Sequence, residues 1–343
     1  MGANPSAHPL MLASLTRVLV IGAILVTGMH LAATLVNPVL VAFAISVIAS
    51  PAVYWLEQRG LRRWIAASAV VGIIAGVSLL LLAVLGVSLL QLDRALPAYQ
   101  ELLKEQLTLL DGTGTDLAAQ LPGSSGNASL LPSLETIIAG LAELAIDFLV
   151  TIIVTVVMLL EIAGLRQKLR TIPGGNGAGL EGQFTAFCLS LNRYVGIRTR
   201  GSLVTGTVVA LLLWFMGIDT PVLWAILIVL FSYIPFLGLP IASIPPIGLA
   251  WLRYGLAGAV AVAAGITIID YLSRTRFTPH PAQRELELSP LVIILSVFFW
   301  LLVLGVPGLF LAVPLTLFAK AVLAAVDDTR WIAALMEPAG ETS

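Results

Sequence analysis

The residues of this chain that could carry chemistry are few and widely spaced. Asp270 precedes Arg274 by one helical turn, so a carboxylate and a guanidinium can pair on one helix face. Asp270 also closes the uncharged run 254–269, and an ionisable group at membrane depth is costly enough to mark a substrate or ion path. The competing reading makes Asp270 an anchor that holds a helix end against interfacial arginines. Glu143 and Asp147 share the i, i+4 spacing near one end of another apolar run, where solvated negative charge accounts for them, and Glu161 is interfacial at its other end. His30 stands alone inside an apolar run, either as a proton relay or as a hydrogen-bonded packing residue. The one cysteine, Cys188, cannot form an intrachain disulfide, and with three scattered histidines it cannot complete a four-ligand zinc site; it reads as a buried small hydrophobe. No G-x-x-x-x-G-K-[ST] occurs, so no phosphate-cradling loop is built in and uphill transport must draw on an ion gradient or a partner. Gly123-Ser-Ser-Gly matches a serine-protease string but sits in a polar stretch without a membrane histidine, so the chain reads as no enzyme and needs no cofactor.

The elements that must position these residues are set by composition. Of 343 residues, 59 % are hydrophobic and 11 % charged, against the ~25 % charge of soluble chains. A mean hydropathy of +1.01 agrees. The expected class is an all-α, polytopic membrane protein whose partner is the lipid bilayer, and a net charge of −1 excludes a nucleic-acid binder. A crossing needs ~20 apolar residues. Runs 18–36 and 38–56 supply two, and Asn37-Pro38 between them predicts a tight hairpin. Because one apolar run follows the other at once, the first reads as a crossing and not as a cleavable signal. Run 64–92 is a third crossing whose tail continues as helix into water, 137–160 a fourth and 201–218 a fifth.

Around these, residues 1–17 form a tail and 18–92 the first three transmembrane helices. Residues 93–136 are an external segment, helical and then flexible, and 161–200 a cytoplasmic linker with an amphipathic helix. Residues 201–326 make a transport core and 327–343 a C-terminal tail. Arg59, Arg62 and Arg63, and the basic residues from Arg166 to Arg200, mark the cytoplasmic side, which places the N-terminus there as well.

Two runs within the core, 220–252 and 288–319, would each stretch to about 50 Å as straight helices and cannot be simple spans. Pro235, Gly238, Pro240, Pro245 and Pro246 interrupt the first; Gly305, Pro307, Gly308 and Pro314 interrupt the second. Proline removes a backbone donor and clashes with the preceding turn, so each run is expected to be broken or re-entrant. Paired broken segments are the geometry of a secondary-transporter site, with structural kinks as the alternative. The stretches beginning Gly217-Ile-Asp-Thr-Pro and Gly305-Val-Pro-Gly also hint at an internal repeat.

Three of these stretches together resemble the autoinducer-2 exporter family, the PerM-like permeases. Ile234-Pro-Phe-Leu-Gly resembles its I-P-x-x-G break and Ile269-Asp270-Tyr-Leu-Ser-Arg274 its I-D-N-x-x-R motif. Gly305-Val-Pro-Gly-Leu-Phe-Leu-Ala-Val-Pro314 resembles its closing G-x-x-G-x-x-x-x-x-P. The chain departs from the pattern at Tyr271, Thr275 and Pro307. The resemblance implies a bacterial inner-membrane protein of about eight membrane segments, oligomeric. Family members are linked either to export of the signal autoinducer-2 or to exchange of sodium or lithium for protons.

The leading expectation is a secondary transporter that exports a small polar metabolite or signal by alternating access. Asp270 and Arg274 form its gate, Ser232, Tyr233, Ser243 and the carbonyls freed at Pro235 and Pro240 offer hydrogen bonds, and Gly238, Gly305, Gly308 and Pro314 shape the path. The alternative is a monovalent-cation/proton antiporter with Asp270 as the exchanging carboxylate and cation ligand. A third reading, of another class, is a non-transporting scaffold that recruits partners through 93–135. The apolar faces of the first crossings suit lipid or a sister subunit, as in a homo-oligomer.

Overall fold

The computed structural model describes residues 24, 26–110, 134–170, 177–277, 288–325 and 329–338. Among them the regular structure is helical: α1 (Ala33–Gln58), α2 (Arg63–Leu110), α3 (Leu134–Arg170), α4 (Gly177–Phe215), α5 (Pro221–Phe231), α6 (Gly238–Phe277), α7 (Pro290–Leu304), α8 (Val306–Ala325) and α9 (Arg330–Leu335). Four stretches, Ala33–Gln58, Arg63–Ala95, Gly238–Thr275 and Val306–Ala325, are long and apolar enough to cross a bilayer, and α5 and α7 are shorter apolar helices. Leu79, Leu80, Leu256, Ile268 and Leu302 are all more than half exposed on these surfaces, as lipid-facing side chains are. At about 1.5 Å per residue the 48 residues of α2 extend about 72 Å, so its C-terminal part runs on well past a ~30 Å core.

One expectation fails at the start of the chain. α1 runs unbroken through Asn37 and Pro38, and the irregularity lies at Ala32. The chain therefore does not reverse at Asn37-Pro38. The Asn37 side chain, read in sequence as a turn former, donates instead to the Leu304 carbonyl at 3.1 Å.

Two compact units share the helices. One takes α1, the start of α2, the second half of α3, the first part of α4 and α7 to α9; the other takes the rest of α2, α3 and α4 with α5 and α6. In the first, Phe43, Phe187 and Phe318 meet as a ring trio, with centroids 6.1, 5.5 and 5.4 Å apart. Ser46 donates to the Thr155 carbonyl at 3.2 Å and Asn192 to that of Val47 at 3.1 Å, short polar ties between apolar helices. In the second, Val209, Leu213, Leu223, Trp224, Ile228, Val262 and Ile266 make the core, with Leu85 and Leu89 of α2 packed on it.

The two long uncharged runs are broken, at fewer places than their prolines suggest. The first stops at Phe231 and resumes at Gly238, so Pro235 and Gly238 lie at the break. Pro240 falls in the first turn of α6, where a missing N–H costs nothing, and Pro245 and Pro246 lie inside the helix without ending it. The second run turns at Gly305 (φ 70°, ψ −149°), with Pro307 in the first turn of α8 and Pro314 inside it. Gly255 (φ 66°, ψ −162°) makes a further corner within α6, a backbone region open in practice to glycine alone.

The corners at Gly255 and Gly305 both reverse the chain, since the glycine three residues after each presses on a carbonyl eight residues back, that of Ala250 and that of Trp300. A Cβ on Gly258 would sit 2.7 Å from the Ala250 oxygen, although residues so far apart in a straight helix are about 12 Å distant. Arg253, at the end of the first leg of α6, donates to the Gly217 carbonyl, and Tyr254 to that of Met216. Run 220–252 thus comes back to the end from which it started, as a helical hairpin.

Gly255→Ala is expected to lower stability by about 1–3 kcal/mol, the cost of holding a side chain in that backbone region. Gly248→Ala, in the same helix with open space around it, should leave stability unchanged or raise it by about 1 kcal/mol. Thermal unfolding of the two purified variants in one detergent, followed by helical circular dichroism, compares them directly.

Candidate transport site

The break between α5 and α6 is built from backbone that has left the helix. Ser232 caps α5, and Phe236 takes a left-handed φ of 62° with its side chain exposed. Within the loop Ile234 N–H reaches the Phe231 carbonyl at 2.9 Å and Gly238 N–H the Ile234 carbonyl at 3.1 Å. Gly238 is needed here because a Cβ would overlap the Phe231 carbonyl.

The next two carbonyls are satisfied from another helix. Arg198 of α4 donates its Nε–H to Ser232 O, and Tyr194, one turn earlier, donates to Tyr233 O at 3.2 Å. Thr199 and the Tyr233 hydroxyl are 2.6 Å apart. A cation at the C-terminal end of α5 also meets the negative end of the helix dipole. Asp270 and Arg274, on the second leg of α6, pair at 2.6 Å, and both act electrostatically on Arg198.

A second polar group lies at the end of the hairpin opposite the break. Tyr99, on the part of α2 beyond its apolar span, donates to Asp219 Oδ2 at 2.5 Å. Arg253 stands 4.0 Å from the same carboxylate, and Trp224 Nε1–H donates to the Asp219 carbonyl at 3.1 Å. Burial, and then the bond to Asp219, push the Tyr99 hydroxyl up to about 12.

Not all the residues singled out in sequence meet. Ser232, Tyr233, Pro235 and Gly238 lie in the break, with the Asp270–Arg274 pair in the same unit. The Ser232 and Ser243 hydroxyls each bond a carbonyl of their own helical turn at 2.7 Å, those of Val229 and Leu239. Gly305, Gly308 and Pro314 belong to the other unit, where the Gly305 corner is tied by His30 Nδ1–H to the Val303 carbonyl at 3.1 Å. Such a bond is what the packing reading of His30 expects. Asp147 and Glu161 are exposed; the side chain of Glu143 and the Gly123 stretch lie outside the described residues. Sequence reasoning missed Tyr194, Arg198, Tyr99 and Asp219. The signal for the first two was available: they stand at i, i+4 just ahead of an uncharged run.

An all-α, multi-pass membrane protein with a broken helical hairpin is the class these features define. A family model described as AI-2E family transporter matches residues 19–328, and the chain belongs to that family. It is a membrane transporter and not an enzyme. The chain is 30 % identical over 318 residues to the AI-2 transport protein TqsA of Escherichia coli, covering 91 % of this chain and 92 % of that one. It is 28 % identical over 325 residues to a provisionally named transport protein of Haemophilus influenzae, covering 91 % and 93 %.

Tyr99→Phe is expected to cost about 1.5–3 kcal/mol, as for a hydrogen bond to a charged group. The folded pKa lies above the unfolded value near 10, so this contribution is complete below pH ~10 and is lost as pH rises through about 12. The stability difference between wild type and variant, measured by chemical unfolding, should be flat from pH 7 to 10 and shrink above it. Tyr194→Phe should cost about 1 kcal/mol and Arg198→Gln about 2 kcal/mol in the same measurement.

Proposed function

We propose that this protein exports a small polar metabolite or signal of the autoinducer-2 kind across the bacterial inner membrane by alternating access. The observation that carries the reading is the way the break is held. The carbonyls of Ser232 and Tyr233 are satisfied by side chains of α4 and not by their own hairpin. When Arg198 and Tyr194 move away, two acceptors are bared in a setting without bulk water, and a hydroxyl-bearing substrate can take the place of the donors. The name of the Escherichia coli relative, an AI-2 transport protein, fits a substrate of that kind.

Asp270 and Arg274 act as a gate beside this exchange of partners. The arginine at 2.6 Å occupies the place an exchanged cation would take, which favours the gate over a sodium- or lithium-for-proton exchanger built on Asp270. Opening the gate exposes two opposite charges to water together, so the cost of separating them is offset by hydration.

Efflux of autoinducer-2 from liposomes holding the purified protein tests this. Wild type should carry flux, Arg198→Gln should lose about tenfold or more, on the scale of 1.4 kcal/mol per decade, and Asp270→Asn should keep a measurable part. A contrary result is no autoinducer-2 flux together with sodium- or lithium-dependent proton movement that disappears in Asp270→Asn, read with a pH-sensitive dye inside the vesicles.

A further inference from the structure

Two corners in this chain are built alike. Gly255 and Gly305 share one unusual backbone setting, φ 66° and ψ −162° in the first and φ 70° and ψ −149° in the second. Three residues after each stands a second glycine, Gly258 and Gly308, pressed against the leg just completed. A Cβ on Gly258 would lie 2.7 Å from the Ala250 oxygen and 2.5 Å from the Tyr254 Cβ. On Gly308 it would overlap the Trp300 oxygen and lie 2.8 Å from the Leu304 Cβ. The neighbours fall at the same sequence offsets in both corners. The likeness between the stretches at Gly217 and Gly305 is not the structural match, because Thr220 stands where the second glycine would be.

Superposing the corners by sequence brings two charged residues into register. Asp270 stands as far beyond Gly255 as Lys320 stands beyond Gly305. Each is paired: Asp270 with Arg274 at 2.6 Å, Lys320 with Glu337 at 3.0 Å. The Lys320 side chain is only 9 % exposed, on a helix apolar enough to cross a bilayer, where a cation without a role is rare.

Glu337 follows α9, and this C-terminal piece spans the open end of the hairpin α7–α8. The Ser289 N–H, at the start of α7, donates to the Met336 carbonyl at 2.8 Å. Next to it Glu337 reaches Lys320 near the end of α8, while Thr329 bonds the Leu323 carbonyl at 2.8 Å. Met336 and Glu337 thus tie one leg to the other, opposite the glycine corner at the apex. Such a hairpin can swing about Gly305 only when that tie lets go.

We propose that Lys320 and Glu337 form a second charge latch of the transport cycle, the counterpart of Asp270 and Arg274. In it the segment 329–338 clamps the α7–α8 hairpin and must release it for substrate to pass. This rests on the transport reading given above. Lys320 acts as a positioning residue: it holds the clamp and does not contact the substrate.

The test uses the full chain with Cys188→Ala, Ser289→Cys and Met336→Cys, reconstituted in liposomes loaded with autoinducer-2. The 2.8 Å main-chain bond puts the two new thiols within bridging reach. Oxidation, confirmed by mass, should cut efflux about tenfold or more, the scale of an ordinary coupling between two states, and reductant should restore it. Lys320→Met should lose efflux by a similar factor while Lys320→Arg retains it. Equal efflux from oxidised and reduced protein, or wild-type efflux from Lys320→Met, overturns the latch and leaves the transport reading standing. No efflux from the wild-type protein overturns the transport reading and the latch with it.

Discussion

Inside a bilayer every backbone N–H and C=O must find its partner within the protein, because no water is there to supply one and each unsatisfied group costs several kcal/mol. The described structure follows from that constraint. Helices satisfy it by themselves, and most of the chain is helix. At 232–237 the helix is interrupted, and the orphaned groups draw in side chains from elsewhere: Arg198, Tyr194 and, through the Tyr233 hydroxyl, Thr199. The break is stable because α4 supplies those donors. The proposed release uses the same feature, since side chains exchange partners far more readily than a helix rewinds.

The constraint also explains which prolines matter. Proline in the first turn of a helix lacks a donor that had no acceptor in any case, so Pro240 and Pro307 leave their helices intact. Pro314 sits buried inside α8, and the helix runs on through it to Ala325. The corners are made by glycines: Gly305 and Gly255 adopt backbone angles that a Cβ forbids, and the glycine three residues on lets the two legs close up. Proline count in the sequence located the two broken runs correctly and overstated the number of breaks.

Much of the architecture was therefore legible in the residues themselves. Composition placed the chain in the membrane, and the excess length of two uncharged runs showed that neither could be a single span. Asp270 and Arg274 were readable as a pair because their partnership is local, one turn apart on one helix. The contacts that complete the candidate site join residues 34 and 39 positions apart, and no periodicity within one segment encodes which helix comes to rest on which break. Asn37 shows the converse. A local turn signal was overridden by a tertiary demand, the free Leu304 carbonyl at the end of α7, which the asparagine side chain satisfies. Gly255 was hidden within the uncharged run 254–269, because a glycine there looks no different from its many neighbours until the backbone angles are known.

The proposed path depends on run 220–252 entering and leaving the membrane from one side, and thiol labelling tests that most directly. The variants Asp219→Cys, Arg253→Cys and Phe236→Cys, each in a Cys188→Ala background, can be probed with a membrane-impermeant maleimide added to one face of sealed vesicles of known orientation. The thiols introduced at positions 219 and 253 are expected to react from the same face, and the thiol at position 236 is expected not to react from it. Labelling of positions 219 and 253 from opposite faces would contradict the re-entrant hairpin, because the run would then cross the bilayer and the break at 232–237 would be a kink in a span.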